Sequence, residues 1–158
     1  MCHFFTIKRK LKKIIKYKNH MNEEMVPGQE SKQFEQIAHE NFSRWNDALK
    51  TGDAKVVAEL YFPDNTFLPT LSPDFKTGID GAEDYFHHFL EKNPVGEIVE
   101  EAIQTLADDC YLHSGRYNFK VGPANDRSVV EARFTYCWKK DDKNQWKIMH
   151  HHSSIMPR

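Results

Sequence analysis

The sequence predicts an α+β domain in which helices cover one face of an antiparallel sheet. Three segments with helical periodicity occupy the first part of the chain, and three long strand-like segments joined by short polar loops close it. A run of helices followed by a run of strands is typical of this class. With 158 residues, of which 39% are hydrophobic and 13% aromatic, the chain is long enough to bury a core of its own.

The helices are predicted from apolar spacing and from residues that start or stop a helix. Ser31 is suited to cap the first helix, which should end at Gly52. Asp53 can cap a short second helix, and a third is expected from Asp80 to Pro94. The segment EIVEEAIQTLADD that follows is ambiguous, because its composition suits a helix as well as a strand.

The start of the chain differs from the rest in charge. Residues 1–20 hold seven basic and no acidic side chains, which leaves 15 basic and 23 acidic side chains in the remainder. We expect 1–30 to be a basic, disordered extension and linker, and 31–158 to be a single domain. The acidic body argues against nucleic-acid binding, and no stretch is apolar enough to predict a membrane span.

The cysteines predict neither a disulfide framework nor a zinc site. Cys2, Cys110 and Cys137 are odd in number, lie far apart and include no Cys-x-x-Cys pair. Reduced thiols, and hence a cytoplasmic protein, are the simplest interpretation.

Alternation along the last three strands sorts their side chains into a polar face and an aromatic face. A symmetric first loop sets Arg116 opposite Arg133, and a pairing of Trp138 with Trp146 would set Arg133 opposite His151. A shift of one residue would exchange the faces of a strand. The polar face then holds the candidate ligand-binding residues Arg116, Arg133, Glu131, His151 and Ser153. The aromatic face holds the candidate interface residues Phe119, Phe134, Tyr136, Trp138 and Trp146.

The polar face needs an explanation, because like charges opposite one another on neighbouring strands are destabilising. Glu131 could neutralise the arginines, or an anionic small molecule could lie over them, since arginine suits forked recognition of a carboxylate. Two geometries follow. Either the aromatic face packs under the helices and the arginines face solvent, or the arginines line a pocket and the aromatic face becomes an association surface.

Five segments of the chain resemble the association (hub) domain of calcium/calmodulin-dependent protein kinase II: FSRWNDALKTGDAKVVAELY, GIDGAEDYFHHFLEKNP, GRYNF, ARFTYCWKK and WKIMHHHSS. They are also similar to the SnoaL-like proteins of polyketide biosynthesis, and both groups belong to the nuclear transport factor 2-like superfamily. The resemblance covers about residues 33–157. It implies a cone in which a curved, mainly antiparallel sheet wraps the N-terminal helices, a pocket on the concave side, and self-association through the outer surface.

The resemblance favours the geometry in which the arginines line the pocket. Arg116, within GRYNF, matches a pocket arginine of the kinase hub, and Arg133 matches another. The hub's pocket histidine and its last-strand arginine fall at Ala82 and Ser153, so its ligand specificity does not transfer. We therefore expect a self-associating domain, a homodimer or larger ring, with an arginine-lined pocket for a small, carboxylate-like anion.

A cyclase or isomerase acting on a carbonyl compound is the alternative function. Such chemistry needs a base, for which Glu131 and His151 are candidates, and an oxyanion stabiliser, for which Arg116 and Arg133 are candidates. A partner-binding scaffold is a third possibility, and it depends on fold analogy alone.

The histidine triplet does not predict a metal site. Adjacent strand residues point to opposite faces, so His150 and His152 can share a metal site but His151 cannot. A zinc site needs about three protein ligands, and the third would have to be a residue such as His113. We expect no metal and no cofactor.

Overall fold

The computed structural model describes residues 27–157, with side chains from residue 31. Residues 1–26 of the predicted extension therefore lie outside the described part of the chain. The chain from Phe34 onward packs as one compact unit. The helices are α1 (Pro27–Lys50), α2 (Ala54–Ala58) and α3 (Gly78–Leu90). The strands are β1 (Tyr61–Leu68), β2 (Lys76–Thr77), β3 (Val95–Ala107), β4 (Cys110–Val121), β5 (Ser128–Lys140) and β6 (Trp146–Ile155).

The helices form where the apolar spacing predicts them, and their starts differ by a few residues. Helix α1 begins at Pro27, before Ser31, because proline is favoured in a first helical turn. Gly52, with φ of 71°, follows its end as predicted. Asp53 caps α2 by accepting a hydrogen bond from the backbone nitrogen of Lys55. The side of α1 that is buried carries Phe34, Ala38, Phe42, Trp45 and Leu49.

The six strands form one sheet in the order β2-β1-β6-β5-β4-β3. All neighbours are antiparallel except β1 and β6, which are parallel. The ambiguous segment is the edge strand β3, which pairs along its length with β4. The predicted α+β class, with helices against one face of a mainly antiparallel sheet, is confirmed. None of the helices in the described part of the chain is long and apolar enough to cross a membrane.

The register of the sheet agrees with the sequence prediction at one strand pair and departs from it at the next. Arg116 of β4 lies opposite Arg133 of β5, as predicted. Between β5 and β6, however, Trp138 pairs with Ile148 rather than with Trp146, and the register shifts beyond this pair because Met149 is an extra residue in β6. Such a β-bulge exchanges the faces of every residue that follows it.

The bulge moves the end of β6 onto the aromatic side of the sheet. His151 lies opposite Tyr136, and Ser153 lies opposite Phe134. Both polar residues are buried, with exposed fractions of 2% and 6%. The prediction that His151 and Ser153 share a face with the arginines is therefore wrong.

The aromatic face of the sheet packs against the helices and forms the core of the compact unit. Trp45 of α1 lies with its ring centroid 5.7 Å from that of Tyr136 and 6.2 Å from that of Phe119. The predicted association surface is thus wrong, because its residues face inward: Phe119, Phe134, Tyr136 and Trp138 are buried and Trp146 is half-buried. The physical reason is that the apolar sides of α1 and α3 need an apolar partner layer, whereas guanidinium groups need water.

Candidate functional site

The two arginines that the sequence assigns to a pocket lie exposed on the outer face of the sheet. Arg116 donates from Nε to a carboxylate oxygen of Glu100 at 2.8 Å, and Arg133 donates to the hydroxyl of Ser154 at 3.0 Å. Glu131 is exposed on the same face. The uninterrupted register of β4 with β5 places all three residues on one face of the sheet, and that face is exposed. The prediction that Arg116, Arg133 and Glu131 line a cavity beneath the helices is therefore wrong.

The other two predicted pocket residues, His151 and Ser153, do meet at an internal cavity. This inner pocket is small, about 10 Å³, and lies between α1, α3, β1 and the centre of the sheet. Its lining is mostly aromatic: Trp45, Phe67, Thr70, Tyr85, Phe86, Phe89, Tyr117, Phe119, His151 and Ser153.

The imidazole of His151 is held on both ring faces. Its centroid is 4.7 Å from that of Phe67, with nearly parallel planes at 13°, and 4.2 Å from that of Tyr136 on the other side. The nitrogen Nδ1 lies 2.9 Å from the hydroxyl of Tyr61, and that hydroxyl accepts a hydrogen bond from the indole nitrogen of Trp45 at 3.2 Å. These contacts leave only an edge of the ring to face the cavity.

Hydroxyl groups that line the inner pocket beside His151 are bonded to one another. Tyr117 donates to the hydroxyl of Ser153 at 2.5 Å, and Thr70 shares a hydrogen bond with the same hydroxyl. Tyr85 donates to the backbone oxygen of Thr70 at 3.2 Å. The loop after β1 is thereby tied to the sheet and to α3, so these side chains are fixed before any ligand enters.

The inner pocket is uncharged. Burial, with a smaller contribution from the neighbouring His150 and His152, holds the pKa of His151 well below its ordinary value, so the ring is neutral near pH 7. Burial likewise raises the pKa of Tyr85 and of Tyr117, which keeps both phenols protonated. No lysine, arginine or carboxylate is among the lining residues that the structure describes.

A wider cleft of about 420 Å³ adjoins the inner pocket and shares Thr70, Tyr85, Phe89 and Phe119 with it. The outer side of the cleft is lined by the charged residues Asp74, Lys76, Asp84 and Lys92, together with His88. The ammonium group of Lys76 lies 2.7 Å from a carboxylate oxygen of Asp84 and 3.5 Å from one of Asp74. An apolar recess therefore leads from a charged mouth to a neutral, hydrogen-bonding inner end.

A separate polar cluster links α1 to the edge of the sheet. The carboxylate of Glu101 lies 2.5 Å from Nε2 of His39 and 2.7 Å from Nε2 of His113. Burial alone would raise the pKa of Glu101, but the hydrogen bonds to the two histidines outweigh it and lower that pKa. Within residues 27–157 no group of three or more histidine, cysteine, aspartate or glutamate side chains has the geometry of a metal site.

Sequence reasoning missed most of the residues that shape the inner pocket. Tyr117 alternates with Phe119 along β4, which indicates the same face of the sheet, and the helical spacing of Tyr85 and Phe89 indicates one side of α3. No local pattern indicates Thr70 or Tyr61. Both residues contact β6 because β1 pairs with that distant strand, and the sequence alone does not predict this pairing.

The comparisons with known proteins agree with this architecture. Residues 34–157 match the family model described as the calcium/calmodulin dependent protein kinase II association domain. A solved structure from Xanthomonas campestris, described as a candidate member of that family, is 41% identical, with a TM-score of 0.71 over 74% of this chain and 84% of the other. No match was found among curated proteins.

Two more distant structures share the fold. One, from Catenulispora acidiphila in complex with S-DNPA, is 14% identical, with a TM-score of 0.65 over 75% of this chain and 90% of the other. The second is a nuclear transport factor 2-like protein with a cystatin-like fold from Novosphingobium aromaticivorans, 9% identical, with a TM-score of 0.63 over 84% and 92%. The chain thus has a nuclear transport factor 2-like fold and belongs to the calcium/calmodulin-dependent protein kinase II association domain family.

Proposed function

We propose that this protein is a self-associating domain that binds a small molecule in the recess formed by the cleft and the inner pocket. The observation that carries the proposal is the continuity of the recess: an apolar cleft of about 420 Å³ ends at a buried, pre-organised set of polar groups around His151 and Ser153. Binding sites for small molecules are commonly apolar cavities with a few fixed polar groups. The fold neighbour from Catenulispora acidiphila, whose structure was solved in complex with S-DNPA, supports this.

An acidic group on the ligand would be held at the mouth of the cleft rather than at its inner end. Lys76 and Lys92 line the mouth, whereas Arg116 and Arg133 lie on the outer face of the sheet. A carboxylate placed beside His151 would lose its water without gaining a cation, which is costly. We therefore still propose that the ligand can carry an acidic group, which would be bound by the lysines of the cleft instead of by the arginines.

The lining of the pocket favours binding over the alternative of a cyclase or isomerase. Proton abstraction next to a carbonyl needs a base, and the exposed Glu131 lies on the outer face of the sheet. His151 is inside the pocket, but its Nδ1 is occupied by Tyr61. The inner pocket offers hydrogen-bonding groups for a carbonyl oxygen, and its described lining includes no carboxylate that could remove a proton there.

Self-association is proposed through the outer face of the sheet, which the family's association role supports. Helices α1 and α3 cover the inner face. Thr135 lies near the middle of the outer face, between Ser114 of β4 and His152 of β6, and is only half-buried. A second copy of the chain meeting this face would cover Thr135 and its neighbours.

The binding proposal is tested with a matched pair of substitutions on β6. Ser153→Leu fills the inner pocket, whereas Ser154→Leu adds the same side chain on the outer face. Titration calorimetry with acetophenone, a small aromatic molecule with one polar oxygen, should show saturable binding to the native protein and to Ser154→Leu, and at least tenfold weaker binding to Ser153→Leu. Equal binding by the two variants, or no binding to the native protein, would refute the recess as the site.

The assembly proposal is tested by sedimentation velocity. The native protein should sediment as a dimer or larger ring at micromolar concentration, and Thr135→Glu should shift it toward the monomer because a charge would be buried at the contact. Lys143→Glu, on the exposed loop between β5 and β6, is the control and should leave assembly intact. A native protein that remains monomeric would contradict self-association.

A further inference from the structure

The hydrogen bonds around His151 determine which ring nitrogen carries its proton. The indole of Trp45 can only donate, so its bond to Tyr61 requires the phenol oxygen as acceptor. The single proton of the Tyr61 hydroxyl is then free to be donated to Nδ1 of His151, at 2.9 Å. A proton on Nδ1 would leave the Tyr61 hydroxyl proton without an acceptor among the described residues, so we assign the single proton of the neutral imidazole to Nε2.

The resulting Nε2–H group is a buried donor with no acceptor among the described residues. The ring is 2% exposed, and its faces are covered by Phe67 and Tyr136. Since Nδ1 points at Tyr61, which does not line the inner pocket, we infer that the opposite edge of the ring, with Nε2, reaches the cavity. A buried donor without a partner is destabilising, so this position is built to receive an acceptor.

The size and charge of the inner pocket define what that acceptor can be. A space of about 10 Å³ admits roughly one oxygen atom, and the body of a larger molecule would have to lie in the adjoining cleft against Tyr85, Phe89 and Phe119. The neighbouring hydroxyls of Ser153 and Tyr117 are already bonded to each other. With only neutral groups in the described lining, an uncharged oxygen is favoured over a carboxylate.

We propose that the inner pocket takes the oxygen of an uncharged carbonyl group, a ketone, ester or amide, on an aromatic or alicyclic molecule, with Nε2–H of His151 as its donor. This inference rests on the proposed function, because it specifies the ligand of the same recess. Tyr61 is the positioning residue: its hydroxyl fixes the tautomer that makes His151 a donor and not an acceptor. A carboxylate elsewhere on the ligand would lie at the mouth of the cleft, beside Lys92.

Three probes of similar size separate this chemistry from mere apolar binding. Acetophenone carries a neutral carbonyl, ethylbenzene has no acceptor, and benzoate carries a charge. We expect acetophenone to bind the native protein at least tenfold more tightly than either of the others at pH 7. His151→Phe should remove the preference over ethylbenzene, and the control His87→Phe, at an exposed position of α3 that lines neither the cleft nor the inner pocket, should keep it.

The outcomes distinguish the two proposals. Equal affinities for acetophenone and ethylbenzene would leave the recess as a binding site and overturn the carbonyl inference, since a water molecule would then satisfy Nε2–H. Tightest binding of benzoate would also overturn it in favour of an anion. No binding of any probe would refute the recess itself and, with it, this inference.

A second measurement does not depend on the stability of His151→Phe. A long-range proton–nitrogen NMR spectrum of the native protein should show the His151 proton on Nε2, and acetophenone should shift that resonance while ethylbenzene does not. A proton on Nδ1 would overturn the inference.

Discussion

At the scale of single residues, His151 owes its properties to its neighbours. Two aromatic rings fix the plane of the imidazole, and Tyr61 fixes its tautomer. Burial keeps it neutral. The middle histidine of the triplet is therefore a rigid, uncharged hydrogen-bond donor, whereas His152, one position later, is exposed on the opposite face.

Tyr61→Phe should destabilise the protein by about 2 kcal/mol, because it leaves both the Trp45 indole and Nδ1 of His151 buried without a partner. Chemical denaturation measures the loss. Tyr85→Phe, which removes a single bond to a backbone oxygen, is the control and should cost about 1 kcal/mol or less. Equal losses would show that the Tyr61 hydroxyl has no special role.

The pKa of His151 makes stability depend on pH in a defined direction. Because the native pKa lies below the unfolded value of about 6.5, the unfolded chain binds more protons below that pH, and the free energy of unfolding falls as the pH is lowered. Burial lowers the pKa of His113 and of His150 as well, so these residues contribute in the same direction.

Denaturation curves between pH 6.5 and 5 should show this loss of stability in the native protein. In His151→Phe the slope should be smaller by up to about 1.4 kcal/mol per pH unit, since one titrating group is gone. His87→Phe, at an exposed position of α3, is the control. A slope that His151→Phe leaves unchanged would contradict the buried, neutral imidazole.

At the scale of secondary-structure elements, the sequence predicts the register of β4 with β5 but not that of β5 with β6, where Trp138 pairs with Ile148 instead of Trp146 and a bulge follows. The short loop between β4 and β5 allowed their register to be predicted, including the pairing of Arg116 with Arg133. The extra residue Met149 in β6 could not be predicted, because a bulge is set by the twist of the sheet and by the packing of Ile148 and His151 on the inner face. This single extra residue places two of the five candidate pocket residues, His151 and Ser153, on the face opposite to the one predicted.

A close approach of β3 and β4 gives a further element-scale prediction. A Cβ atom on Gly115 would lie 1.9 Å from the backbone oxygen of Glu100 and 2.8 Å from the Cα atom of Glu101, beside an irregularity in β3. Gly115→Ala should therefore cost about 3 kcal/mol, because backbone must move. Ser114→Ala, the adjacent half-buried residue, should cost less than about 1 kcal/mol. Similar unfolding midpoints for the two variants would contradict the close approach.

At the scale of the whole molecule, the choice of inner face decides where a ligand can bind. The separation into an arginine face and an aromatic face was readable from alternation in β4 and β5, but which face meets the helices was not. The resemblance to the kinase hub suggested that the arginines point inward, and the structure places them outside. The aromatic face meets the helices because burying its large apolar area is favourable, and its side chains form the core with α1 and α3.

The most direct test of this account compares two variants in one binding experiment. Arg116→Ala combined with Arg133→Ala removes the exposed guanidinium groups, and His151→Phe removes the buried donor. Calorimetric titration with acetophenone should give native affinity for the double-arginine variant and at least tenfold weaker binding for His151→Phe. Loss of binding in the arginine variant with native affinity in His151→Phe would contradict the account.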